Sequence, residues 1–179
     1  MNVADKYKAW EADLIREDVQ SRVFPYSCFM FNWSGDMNMA SAIRSGNGFG
    51  CKEFFYFGKK NWDRRGAVGT QNYSKISFVK YFEDFIKMKD RYHFVGIDNN
   101  HQFNCIPVQN FEWEPKDNKE LLLIFGEEAA GLSKEVLDLC DDIVYVPMFG
   151  SVRSFNVASC ASIIMFDLVN KKFMKDVPI

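Results

Sequence analysis

Histidine is scarce in this chain of 179 residues: there are two, His93 and His101. A zinc site needs Cys and His at short ligand spacing, and none is visible, so no metal is expected. The five cysteines, at 28, 51, 105, 140 and 160, form no CxxC and no short pair. They read as reduced, mostly buried thiols of a cytoplasmic protein rather than a disulfide framework. No apolar run approaches the roughly 20 residues of a membrane span. The chain opens polar and charged, unlike a secretory signal. Positive charge is not in excess either. Lys+Arg is 22 against 24 Asp+Glu, for a net charge of −2. Attraction to nucleic acid by bulk charge is thereby excluded, and only a local basic patch could supply it. There is no GxxxxGK[ST], which removes the P-loop nucleotidases.

What the chain does have is apolar mass. Hydrophobic residues make up 47% and aromatics 16%, with 18 Phe, 7 Tyr and 4 Trp. A chain of this length hides roughly 70% of its unfolded surface, enough for one well-buried domain over 1–179. Val3, Tyr7, Trp10 and Leu14 lie on a 4-3-4 spacing, which predicts an amphipathic helix over 3–22, stopped by Pro25. Apolar runs at 26–31, 53–57, 92–97, 121–125 and 143–146 predict buried strands, with a further short one at 103–108. Helices are predicted at 38–46, at 79–90 with Val79, Phe82 and Ile86 inward, at 134–140, and at 154–173. The last is apolar nearly all round, so it should be buried between the sheet and a partner subunit. Strands alternating with helices predict an α/β fold with a parallel sheet flanked by helices.

The glycine-rich stretch 46–50 invites a dinucleotide-binding reading. It follows a helix and opens a strand, the reverse of a Rossmann glycine loop, so a helix cap and turn is the better reading. Three other segments carry more: NMASAIRSGNGFG at 38–50, LIFGEEAAGLS at 123–133, and VPMFGSVRSFNVASCASI at 146–163. In order and spacing they resemble the three motifs of the SpoU/TrmH family of RNA ribose 2′-O-methyltransferases. The carrying residues are Asn38 with Arg44; Gly126, Glu128, Gly131 and Ser133; and Val146-Pro147-Met148 with Ser154-Phe155-Asn156. The resemblance covers about residues 26–170 and leaves only the first helix outside. It implies a SPOUT-type α/β knot whose C-terminal segment is threaded as a trefoil.

The resemblance also implies an activity and its residues. S-adenosylmethionine would dock against backbone near Ile97, Gly126, Val146 and Phe155. Arg44 would activate the ribose hydroxyl; with a pKa above about 12, arginine is better suited to orienting it and stabilising charge than to taking its proton. Glu128 would order the cofactor loop or Arg44. Ser154, Asn156 and Asn38, each also an ordinary helix N-cap type, would line the reaction site. The substrate would be RNA, with tRNA favoured over rRNA, and the active site would lie at a homodimer interface. Phe155 stands where the family commonly has Leu, and Glu127 adds a second carboxylate to the motif-two loop. RNA contact would fall to the loop KKNWDRR, where Lys59, Lys60, Arg64 and Arg65 flank Trp62; a merely solvated loop is an equal reading of those residues. Lys171, Lys172 and Lys175 form a second, sparser patch. Two other classes are compatible with the sequence: a catalytically silent RNA-binding member of the same fold, and a flavodoxin- or Rossmann-type nucleotide binder. Binding of S-adenosylhomocysteine rather than NAD or FMN separates the last from the first two.

Overall fold

A computed structural model describes residues 3–32, 34, 37–100, 103–127 and 130–174. Its centre is a seven-stranded, wholly parallel sheet, comprising β1 (Tyr26–Asn32), β2 (Phe54–Gly58), β3 (Ile76–Phe78), β4 (Tyr92–Ile97), β5 (Cys105–Pro107), β6 (Glu120–Phe125) and β7 (Asp142–Tyr145). The spatial order is β3-β2-β1-β6-β4-β7-β5. Helices α2 (Met37–Gly48), α3 (Phe82–Lys87), α4 (Lys134–Leu139) and α5 (Val157–Lys172) cover it, and α1 (Ala12–Gln20) stands outside the sheet crossings.

The central strands read as unbroken apolar runs because both of their faces are covered. Successive side chains alternate between the faces. Cys28 and Met30 of β1, with Leu121, Leu123 and Phe125 of β6, pack with Ile43 of α2 and Ile164 and Leu168 of α5. Phe29, Phe31, Leu122 and Ile124 pack on the other side with Phe85 of α3 and Val136 of α4. The chain runs outward from β1 to β3, then returns to lay β4 one strand away, and β6 fills the gap. This reversal of order leaves a crevice at the carboxyl ends of the strands, where open α/β sheets take ligands. Register pairs Ile97 with both Phe125 and Val144, so β4, β6 and β7 end at one level.

Four expectations are corrected. The predicted 3–22 helix is instead a 3₁₀ turn at Asp5–Tyr7 followed by α1. The break resets the helical phase, so Ile15 is buried and Trp10 and Leu14 face solvent. The 79–90 helix is shorter, α3 plus one 3₁₀ turn at Met88–Asp90, and Phe85 rather than Ile86 points inward. Strand β3 was not predicted. The last helix begins at Val157 rather than at 154, with Asn156, one of the two expected cap residues, capping it, and Asn38 falls inside the first turn of α2 rather than at its cap. Among the described residues no helix is long and apolar enough to cross a membrane.

Candidate active site

The site grows from the loop that leaves β6. A Cβ added to Gly126 would lie 2.2 Å from the carbonyl of Gly131, so only glycine allows this loop to fold back on itself. Gly131 takes φ +64°, and its N–H donates to the Glu127 carbonyl at 2.8 Å. Asp98, the first residue past β4, fastens the fold-back. Its Oδ2 accepts the Leu132 N–H at 2.9 Å and its Oδ1 accepts the Asn100 N–H at 2.9 Å. A Cβ on Gly131 would meet that same Oδ2 at 2.7 Å. Ser133 then caps α4, its hydroxyl accepting the Val136 N–H at 3.3 Å.

The second wall is the segment between β7 and α5. Asn99 donates to the Arg153 carbonyl at 2.8 Å and holds the segment against the loop after β4. Asn156 caps α5, with Oδ1 accepting from the N–H groups of Ala158 and Ser159 at 3.0 and 3.3 Å. Its Nδ2 donates to Asn38 Oδ1 at 2.9 Å, tying the third motif to the first. Glu127 Oε1 accepts the Ser34 N–H at 2.6 Å, tying the second motif to a residue just past β1.

These walls enclose a cleft of about 100 Å³. Ile97, Gly126, Val146, Ser154 and Phe155, all expected from the sequence, line it together. Asp98, Asn99, Tyr145 and Cys160 line it too and were not expected; the signal for Asp98 was its place directly after a strand at the carboxyl edge. Burial, followed by the nearby Asp98 carboxylate, pushes the Cys160 thiol up to about 11, which disfavours the thiolate. Asn38 lines an adjoining recess with Ser34 and Asn32, and Gly126, Glu127 and Val157 belong to both spaces. Arg44 is not brought to the cleft. It is exposed on α2 and lines a separate groove with Ser41, Ser45, Gly48, Phe49 and Gly66. Glu128 lies outside the described residues, as does Lys175.

The basic loop is a mixed surface. Lys59, Lys60, Arg64 and Arg65 are exposed. Trp62 packs partly against the core, with the Arg64 guanidinium 5.7 Å from its ring. Arg65 is paired with Asp63, whose carboxyl it holds below the usual range, and Lys59 Nζ donates to the Ser34 carbonyl at 3.1 Å.

An apolar slot with backbone edges, a motif loop folded back on two glycines, and two facing asparagines can hold a neutral nucleoside and present polar groups to a second substrate. Comparison with known proteins agrees with this architecture. The tRNA (guanosine(18)-2′-O)-methyltransferase of Borreliella burgdorferi is 29% identical over 138 residues, 74% of this chain, and the match spans 60% of that enzyme's length. The Aquifex aeolicus protein of the same description is 24% identical over 156 residues, covering 86% of this chain and 72% of the relative. Among solved structures, the A. aeolicus TrmH/SpoU tRNA modifying enzyme superposes with a TM-score of 0.74 at 20% identity, over 89% of this chain and 81% of that one. The SpoU methyltransferase AviRb of Streptomyces viridochromogenes, solved with AdoMet, gives 0.67 at 25% identity, over 80% of this chain and 56% of that one. The SpoU rRNA Methylase family matches residues 27–166, from the second residue of β1 into α5, and this chain belongs to that family.

Proposed function

We propose that the protein transfers a methyl group from S-adenosylmethionine to a ribose 2′-hydroxyl of RNA, with tRNA favoured over rRNA. One observation carries the reading: the carboxyl-edge cleft gathers the motif-two glycine loop and Ser154-Phe155-Asn156 beside Asn38. The residues fit the cofactor. Ile97, Phe125, Val146 and Phe155 offer an apolar slot, and the fold-back at Gly126 brings peptide groups to its edge. When bound, S-adenosylmethionine supplies an electrophilic methyl on a sulfonium. The protein's part is to exclude water, fix the ribose and keep its hydroxyl in line. In this reading Asn38 and Asn156 orient the hydroxyl, and Arg44, which lies outside the cleft of its own chain, stabilises negative charge in the cleft of a partner subunit. The relatives' names favour tRNA: both tRNA (guanosine(18)-2′-O)-methyltransferases are said to act there.

The same reading includes a homodimer. Arg44 sits apart from the cleft of its own chain, beside Phe49, and Phe49 meets Phe166 of α5 at 6.2 Å. Phe166 is 57% exposed, so an apolar face adjoins Arg44. A second subunit packed there covers that face and completes the site. Threading of the C-terminal segment through a loop as a trefoil belongs to the same proposal, supported by the family membership.

Calorimetric titration with S-adenosylhomocysteine, together with transfer of labelled methyl to RNA, tests the reading. Binding and transfer are expected, with no binding of NAD or FMN. Arg44→Ala is expected to lower transfer by about 10²–10³ while leaving S-adenosylhomocysteine affinity unchanged. Wild-type turnover by that variant overturns the role of Arg44. Cofactor binding without transfer to any RNA points to a silent RNA-binding member of the fold.

A further inference from the structure

The described lining of the cleft contains two carboxylates, Asp98 and Glu127, and no Lys, Arg or His. Among the described residues neither carboxylate has an ion-pair partner. Asp98 is held by the N–H groups of Leu132 and Asn100, and Glu127 by that of Ser34. Lys59 donates to the Ser34 carbonyl rather than to Glu127, and among the described residues no salt bridge joins Lys59 or Arg153 to either carboxylate. Backbone N–H groups fix the carboxylates in place, and no salt bridge among the described residues of the subunit cancels their charge. That charge reaches the neighbouring groups, since the Asp98 carboxylate adds to burial in raising the thiols of both Cys160 and Cys105.

We propose that Asp98, reinforced by Glu127, makes the cleft select a cationic sulfonium over the neutral thioether, so that methyl transfer itself loosens the product. The proposal rests on the cofactor reading given above. The chemistry sets the sign. As the ribose oxygen gains the methyl and its proton leaves to solvent, the S–CH₃ electron pair returns to sulfur and the positive charge disappears. The rest of the molecule keeps its charges, so the sulfonium alone distinguishes cofactor from product to an acidic wall. A unit charge pair at about 4 Å favours the charged ligand by roughly fivefold even at the dielectric of bulk water, and by more in a partly desolvated cleft.

The experiment compares calorimetric affinities of S-adenosylmethionine, S-adenosylhomocysteine and sinefungin, which restores a positive charge as an ammonium. The full chain is used in wild-type form and as Asp98→Asn and Glu127→Gln, the latter keeping an oxygen acceptor for Ser34. In the wild type, the two cationic ligands are expected to bind at least about fivefold tighter than S-adenosylhomocysteine, with the ratio shrinking as salt rises. Asp98→Asn is expected to pull the three affinities together, and Glu127→Gln to do so less. The ratio is what is read, so a loosened loop that weakens all three ligands equally does not imitate the effect. Equal wild-type affinities, or a ratio unmoved by both variants, overturn the proposal while leaving the cofactor reading standing. Failure of all three ligands to bind overturns the cofactor reading and the proposal together.

Discussion

The two edges of the sheet treat charge in opposite ways. At the amino edge, carboxylates are matched with cations. Glu120 takes Lys52 at 2.6 Å and Arg91 at 3.4 Å, Asp141 takes Lys89 at 3.0 Å, and Glu53 takes Lys75 at 2.7 Å, while Asp142 accepts the His93 Nε2–H at 2.7 Å. At the carboxyl edge, Asp98 and Glu127 are held by peptide N–H groups, with no salt bridge to either among the described residues. Pairing neutralises one edge and closes it. Peptide donors at the other fix geometry while leaving a field in the cleft. The contrast separates a stabilising edge from a working one, even though both lie on the same strands.

Substitutions can break that separation. The largest effect is expected at the working edge. Gly126→Ala forces a Cβ into the Gly131 carbonyl, and overpacking of this kind costs roughly 1–3 kcal/mol. Borne by the loop, that strain lowers S-adenosylhomocysteine affinity by about 5- to 150-fold while the urea midpoint moves little. A variant that binds normally would show that the fold-back does not form the slot.

The reverse pattern is expected from Asp142→Ala. His93 is 1% exposed, with Nε2 on Asp142 and Nδ1 accepting the Lys116 N–H at 3.3 Å. That acceptor role assigns the ring proton to Nε2, so removing Asp142 strands a buried donor. The cost is about 1–3 kcal/mol in urea unfolding, with ligand affinity unchanged. Coupled losses of stability and affinity would erase the distinction between the edges.

A smaller effect is expected on mild acidification. Burial raises the carboxyls of Glu120 and Asp141, but Lys52 and Arg91 on the one, and the Phe94 N–H and Lys89 on the other, hold both below their usual values. A depressed folded-state pKa contributes stability that is present above the unfolded pKa and lost as pH falls through the folded one. Stability should therefore decline below about pH 4.5. Glu120→Gln should soften that decline while costing about 0–1 kcal/mol at pH 7.

The weakest expected effect concerns the basic loop. Arg65 is already paired and Lys59 already bonded, so replacing Lys59, Lys60, Arg64 and Arg65 together should remove the phosphate contacts of mainly Lys60 and Arg64. At about −0.7 per contact, the salt slope of RNA binding should flatten by roughly 1.4. An unchanged slope would send the RNA elsewhere.

The sequence revealed the parts of the molecule whose signal is local. Strands β1, β4 and β6 were legible because burial on both faces makes them continuous apolar runs, and the motif glycines because a tight loop tolerates nothing else. Strand β3 has three residues, Ile76-Ser77-Phe78, too few to show a period. Helix α1 was misphased because Trp10 and Leu14 continue a helical spacing across a break that the backbone makes before Ala12. Asp98 was missed because its partner N–H lies 34 positions away at Leu132. The separation of Arg44 from the cleft is likewise a tertiary fact: its motif spacing states which helix carries it and not which space it faces.

The contact between Asn156 and Asn38 carries a directional consequence. The Asn156 carbonyl oxygen is committed to the first N–H groups of α5, so its amino end must face the first motif. Asn38 must in turn answer with its own carbonyl oxygen. The helix terminus thus sets the polarity of a side chain 118 positions earlier in the chain. Aspartate at 156 would cap α5 as well as asparagine does. It would also set oxygen against oxygen across the contact and turn the Asn38 amide around. Hydrolysis of that one amide as the protein ages would leave the helix intact and reverse the hydrogen-bonding face shown to the recess.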